Sequence, residues 1–402
     1  MRIAMIGPFG LQPKGTLSVR ALPMARALVQ RGHAVRLMVP PWDHPVDAGR
    51  KWQDAGVEIE NIELPAPMPG LFHINTTRAL VKRTLDFKPD VIHCFKPKAY
   101  AGLSAWGLWQ MKRVGRLSAR LIMDTDDWEG AGGWNDFSGQ SSVVSSQYSW
   151  AQRKMFAWQE KWGLTHNDGV TVASRALESI VWSLGVRRGR VAYVPNGWQK
   201  SEVRRQVPEV RVLDSGFWIL LYTRFFEFKL ERVIEVLRRV VAAVPEAKLL
   251  VVGKGFAGEE DQLLKQAEAI GLRGSIEYAG WTQPSQLPKL FAGSHVAIFP
   301  FDDTLINRTK CSVKLIDLLA AGVPVVADAV GQNVEYIRHN ETGVLVPCGD
   351  VEAMARAVME LGRDGVRAER LGTAAAGDMR ERFSWERLIE PVLNLYEGRT
   401  LA

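Results

Sequence analysis

With 402 residues, 47% hydrophobic and 24% charged, the chain is expected to form a soluble globular protein of two domains. Three cysteines (Cys94, Cys311, Cys348) stand far apart with no CxxC pair, which argues against a disulfide framework or a zinc site and fits a reducing cytoplasm; no apolar run approaches the roughly 20 residues of a spanning helix. The charge is lopsided: residues 1–195 hold 25 Lys and Arg against 16 Asp and Glu, and the remainder 26 against 28, so an anionic partner is expected for the first half.

The opening "MRIAMIGPFG" has too short an apolar stretch for a signal peptide and reads as a first β-strand. After it "AVRLMVP", "DVIHCF", "RLIMDT", "GVTVAS" and "RVAYVP" read as strands, each short, β-rich and bounded by Gly, Pro or Asp. Helical stretches lie between, such as "RALPMARALVQRGH", where Pro23 should kink the helix or mark its true start. The Ser-rich "SGQSSVVSSQYS", residues 138–149, reads as a loop. A polar segment with Pro and Gly, residues 194–216, is taken as the boundary. Beyond it the style repeats: strands "WILLYT", "KLLVVG", "SIEYAG", "HVAIFP", "PVVADA" and "GVLVP", with helices "KLERVIEVLRRVVAAVP" and "EEDQLLKQAEAIG" between. Two runs of alternating strand and helix predict two doubly wound parallel sheets, residues 1–195 and 196–382, whose ligands bind at the carboxyl ends of the strands.

Three motifs bear on chemistry. "GPFGLQPKG", Gly7 to Gly15, joins the first strand to the first helix; such a turn brings backbone N–H groups to an anion, though its spacing is not GxGxxG and it also suits a plain tight turn. "TRFFEFK" sets Arg224 and Lys229 just past a buried strand, a bidentate and a mobile cation suited to phosphate, or two ordinary surface charges. In "KCSVKLIDLLAAGVPVVADAVG" the carboxylate of Asp317 sits in an apolar helix stopped by Gly322, so it must be paired, exposed or turned to a ligand; two accepting oxygens suit the hydroxyls of a ribose.

Together these motifs resemble the retaining, nucleotide-sugar-dependent glycosyltransferases of the GT-B fold, the GT4-like group. Arg224 with Lys229 five residues on matches that family's cation pair, and "DLLAAGVPVV" puts Asp317 where its ribose-binding Glu stands. "VVGKG", "YVPNG", "AIFPF" and the final "FSWERLIEPVLNLYE" are similar to further landmarks. The resemblance implies two Rossmann-like domains facing each other across a cleft, the first for the acceptor and the second for the nucleotide sugar. Residues 383–402 then form a helix crossing back to the first domain, and Gly15 lies over the diphosphate. It also implies front-face attack by the acceptor hydroxyl, with no protein nucleophile and no cofactor.

The chain departs from the family pattern at three places. The first of the family's two Glu residues falls on Thr309, so contact with the donor sugar passes to Asn307, Thr309 or the backbone near Lys310, Ser312 and Val313. The glycines that often flank the cation pair are Thr223 and Leu230. The family's frequent His after "RLIMDT" is Asp126, which leaves Asp126 or Asp127 to accept from sugar hydroxyls. "DTDD" also permits a divalent cation on Asp124, Asp126 and Asp127; metal-free positioning is preferred because the phosphate-gripping residues lie in the other domain. His93 is a candidate for the acceptor cleft or a satisfied strand-end histidine, Cys311 a small packing residue, and Glu335 a support of the donor pocket or a helix cap.

Residues 69–120 carry ten basic and two acidic side chains, among them Lys82, Arg83, Lys96, Lys98, Lys112, Arg113 and Arg116, and half of the fourteen tryptophans fall between residues 100 and 165. That combination makes an anionic membrane surface a candidate partner, beside the alternative of core tryptophans and a solvated face; no motif supports nucleic acid. Two other readings stay open: a non-hydrolysing sugar-nucleotide epimerase of the same fold, and a non-catalytic partner that keeps a donor pocket.

Overall fold

In a computed structural model, residues 1–12, 15–68, 70–136, 149–199 and 216–400 are described. Most of the Ser-rich segment, residues 200–215 of the boundary and Pro13–Lys14 of the glycine turn lie outside them. The first lobe is built on β1 (Arg2–Ile6), β2 (Ala34–Val39), β3 (Lys51–Asp54), β4 (Val57–Asn61), β5 (Val91–Phe95), β6 (Arg120–Thr125), β7 (Gly169–Val172) and β8 (Val191–Tyr193). They form one sheet in the order β3-β4-β2-β1-β5-β6-β7-β8, parallel apart from the β3–β4 hairpin. The second lobe carries β9 (Phe217–Tyr222), β10 (Ala247–Val252), β11 (Ile276–Gly280), β12 (Val296–Phe299), β13 (Val325–Asp328) and β14 (Val344–Val346), in the order β11-β10-β9-β12-β13-β14. Both sheets wind outward from their first strand, so the strand order reverses beside it and leaves the crevice where doubly wound folds bind ligands.

Burial on both faces explains the near-continuous apolar strands. Ile3 and Met5 of β1 point into a core shared with helix Ala21–Gln30 and the last helix, while Ala4 and Ile6 point to the other face. In β9, Ile219 and Leu221 pack on helices Leu230–Ala243 and Val351–Arg363, and Trp218 and Leu220 face the opposite way. Pro23 is the third residue of its helix, where no intrahelical donor is lost, so it marks the start rather than a kink.

The β3–β4 hairpin is an element that the apolar pattern does not predict. Its strands carry charge: Glu58 pairs with Arg36 at 2.6 Å and Glu60 with Arg83 at 2.6 Å, which blunts an exposed edge. The last helix, Trp385–Glu397, packs on helix Ala21–Gln30 and against β6 and β8 of the first lobe. Tyr396 reaches His93, and Arg120 donates to the Leu395 carbonyl.

Candidate functional site

The carboxyl end of β9 is a strained turn. Phe225 has φ +71°, left-handed for a bulky residue, and its buried ring holds it there. The turn folds around Glu227: the Thr223 hydroxyl donates to Glu227 Oε2 at 3.2 Å and accepts from the Phe225 N–H at 2.8 Å, and the Arg224 N–H donates to Oε2 at 3.3 Å. The other oxygen of Glu227 receives Lys310 Nζ at 2.6 Å. Burial pushes this carboxyl up, but Lys310 and then Lys314 hold it below the usual carboxylate range. Lys310 also lies 4.1 Å from the Phe226 ring centre, and Asn307 Nδ2 ties the Glu227 carbonyl at 2.6 Å.

Helix Val313–Ala320 brings two more groups to this turn. Lys314 and Asp317 stand three residues apart, on one face, beside Tyr222 at the end of β9. Lys314 Nζ sits 3.6 Å from the Tyr222 ring centre. Burial, with Lys310 and Arg224 adding to it against Glu227 and Asp317, lowers the Lys314 ammonium to about 8. Burial raises the half-buried Asp317 carboxyl to about 7, against the pull of Lys314. Arg224 is exposed with its guanidinium 4.4 Å over the Phe256 ring, and Lys229 is exposed at the N-cap of helix Leu230–Ala243. Arg224 and Asp317 thus flank one cluster, linked through Lys314.

The first lobe answers with charges at the ends of β5 and β6. Lys96 has φ +59° and is buried, with Nζ 2.9 Å from Asp126 Oδ1 and 3.0 Å from Asp127 Oδ2. Asp124 points the other way, into a bidentate pair with buried Arg20 at 2.6 and 2.7 Å. The three carboxylates of "DTDD" therefore do not converge; each is matched by a cation of the chain. Glu160, fully buried beneath them, accepts from the Thr125 hydroxyl at 3.2 Å and is pushed well above the carboxylate range by burial and by Glu129.

The lobes meet around Asn196. Its N–H contacts Cys311 Sγ at 3.1 Å, its Nδ2 donates to the Cys311 carbonyl at 2.9 Å, and Tyr336 Oη donates to its carbonyl at 2.6 Å. Arg20 donates to Asn196 Oδ1 at 3.2 Å. Trp134 of the first lobe stands edge-on to Phe226 of the second, ring centres 5.0 Å apart. Asp126 is close enough to the buried Cys311 to add to the rise of its thiol, to about 11, for which burial is the chief cause.

Other predicted residues fall differently. His93 is a correction: it lies in mid-strand, fully buried, bonded to Tyr396 Oη at 2.7 Å and Thr171 Oγ1 at 3.1 Å, and does not line a cleft. Thr309 is likewise fully buried, its hydroxyl spent on the Leu305 and Ile306 carbonyls at 2.9 and 3.1 Å, so no side chain there reaches a donor. Ser312 is the buried N-cap of helix Val313–Ala320, without a side-chain cap bond, and Val313 follows it half-buried. Gly15 is exposed at the N-cap of helix Thr16–Val19, with open space where a side chain would be. Glu335 stands 3.8 Å from Arg175 at the contact between lobes. Glu227, Lys314 and the Phe226–Phe256–Trp134 aromatics have no role in the sequence analysis, and Lys96 stands there only among the basic residues of a surface, whereas here it is buried between Asp126 and Asp127; of these only Lys314, one turn before Asp317, had a signal there.

Residues 217–364 match the family described as "Glycosyl transferases group 1", and residues 15–197 match the "Glycosyl transferase 4-like domain". The phosphatidyl-myo-inositol mannosyltransferase of Mycobacterium leprae is 25% identical, covering 99% of this chain and 96% of that protein. Its counterpart in Mycolicibacterium smegmatis is 23% identical over 99% and 94%. Among solved structures, sucrose-phosphate synthase of Thermosynechococcus elongatus superposes with a TM-score of 0.68 at 20% identity, over 99% and 98% of the two chains. HepE of Anabaena in complex with UDP and glucose gives 0.66 at 15%, over 99% and 100%.

Proposed function

The chain belongs to the group 1, GT4-like glycosyltransferases of the GT-B fold, and from that premise we propose that it moves a sugar from a nucleotide-diphosphate donor to a hydroxyl of a glycan or lipid-linked acceptor, with retention. Asp317 accepts from the donor ribose, while Arg224 and Lys229 grip the diphosphate. The acceptor enters from the first lobe, where Asp126 and Asp127 meet sugar hydroxyls. The acceptor oxygen bonds to the anomeric carbon as the bond to the diphosphate oxygen breaks; the diphosphate leaves with the electron pair and takes the hydroxyl proton. Cations beside the leaving group stabilise charge that grows in the transition state. The observation that supports this most is the cluster of Arg224, Lys310, Lys314 and Asp317 at the carboxyl end of β9.

Thermal-shift screening against UDP-, GDP- and ADP-sugars identifies the donor, and proton NMR of the product reads its anomeric configuration. An inverted product overturns retention, an epimerised donor formed without acceptor overturns transfer, and loss of turnover with a chelator, restored by manganese, overturns metal-free positioning. Arg224→Ala is expected to lower kcat by about 100-fold or more with a smaller change in KM.

We also propose that the acceptor is met at an anionic membrane surface. Among the described residues no helix is long and apolar enough to cross a membrane. The adjoining helices Ala99–Arg113 and Trp150–Thr165 expose Trp106, Trp150 and Trp158 and carry the exposed cations Arg113, Lys154 and Lys161. Sedimentation with phosphatidylglycerol vesicles but not phosphatidylcholine vesicles, weakened by salt, is the expected result; equal partition to both overturns it.

A further inference from the structure

Three cations and two carboxylates crowd the end of β9, and their pairing is uneven. Lys310 is spent on Glu227 at 2.6 Å. Among the described residues neither Arg224 nor Lys314 has a carboxylate within ion-pair distance. Lys314 is nonetheless held inward, its ammonium 3.6 Å from the Tyr222 ring centre and one helical turn before Asp317. The charges that act on it most come from every element around it: Glu227 and Arg224 from the turn after β9, Lys310 from the segment before the helix, and Asp317 from its own helix; Tyr222 faces it from β9. A half-buried ammonium among two other cations is costly unless an anion joins them. Lys229, by contrast, stands exposed at the start of its helix.

We propose that Lys314 is a further phosphate-binding residue of this site, closing with Arg224 on the diphosphate of a nucleoside diphosphate. The assignment rests on the donor reading given above and adds to it a residue that the paired-cation motif does not contain. It has a consequence that a packing lysine lacks. The free ammonium is lowered to about 8, so above that pH much of Lys314 is neutral; an arriving diphosphate favours the charged form, and binding takes up a proton.

Calorimetry of UDP, GDP and ADP, and of the corresponding nucleosides, tests this on the full chain at pH 8.5 in buffers of different ionisation enthalpy. Lys314→Met is expected to weaken the diphosphate that binds by about tenfold, to leave nucleoside affinity unchanged and to abolish proton uptake, while Lys314→Arg restores most of the affinity. Melting curves for both variants show that the fold is kept. If Lys314→Met leaves diphosphate affinity and proton uptake unchanged while Arg224→Ala weakens binding, the assignment of Lys314 fails and the donor reading stands. If the native chain binds none of the three diphosphates, the donor reading fails and this assignment with it.

Discussion

Asp317 is the carboxylate that the site needs and that its own surroundings resist. Burial raises it from 3.8 to about 7. Between those values the folded protein holds a proton that the unfolded chain has released, so stability falls as pH rises, and above 7 the cost is constant. Asp317→Asn removes that cost. It is expected to stabilise the free protein by on the order of 2 kcal/mol at pH 8, with the gain vanishing below pH 4, as read by urea melts across pH. The same change is expected to weaken nucleoside diphosphate binding, because an amide is a poorer acceptor for two hydroxyls. Native affinity should fall as pH drops through 7, where Asp317 takes up its proton. A variant that is no more stable, or binds as tightly, counts against a ligand-facing Asp317. This is the stability–function conflict expected of a strained site.

Among elements, those with an apolar signature were legible. Among the described residues, five strands of the second lobe and six of the first follow short buried runs, and the edge strand β11, buried only at Ile276, was marked instead by its β-rich residues and closing glycine. The hairpin was not, since Lys51, Glu58 and Glu60 face solvent or ion pairs and leave no apolar run. Its turn, Ala55 and Gly56 at φ +48° and +83°, was the one local cue. The site divides similarly. Arg224 and Asp317 could be found because each breaks a local pattern, but Glu227 and Lys96 gain meaning only from partners on other elements. Gly253 shows how an element end supports the site. At φ +127°, it would place a Cβ 2.0 Å from the Thr223 carbonyl, next to the turn that carries Arg224. Gly253→Ala must push β10 away from that turn. It is expected to cost about 2–3 kcal/mol and to lower kcat beyond what stability explains, since Arg224 moves with Thr223. Full turnover in the folded variant would show that the turn tolerates displacement.

At the scale of the molecule, the last helix joins the end of the chain to the middle of the first sheet. The misreading of His93 comes from this: its partner Tyr396 lies 303 residues along the chain, so nothing local shows that its face of β5 is covered. Burial, and to a lesser degree Arg20, lowers the His93 imidazole from 6.5 to about 3, which keeps it neutral in the folded state. The unfolded chain takes up a proton near 6.5 and the folded one does not, so stability is complete above that pH and is lost as pH falls toward 3. The whole loss is on the order of 4 kcal/mol, and it bears on the contact between helix and sheet, because Tyr396 Oη bonds the same ring at 2.7 Å. His93→Gln keeps a hydrogen-bonding side chain but cannot charge. It is expected to lower the melting temperature at pH 7.5 and to flatten its decline between pH 6.5 and 4. Tyr396→Phe, which removes the bond but leaves the buried histidine, is expected to lower the melting temperature at pH 7.5 without steepening that decline. Parallel melting profiles for the native chain and His93→Gln would show that acid acts elsewhere, and that the clamp between helix and sheet does not rest on a neutral imidazole.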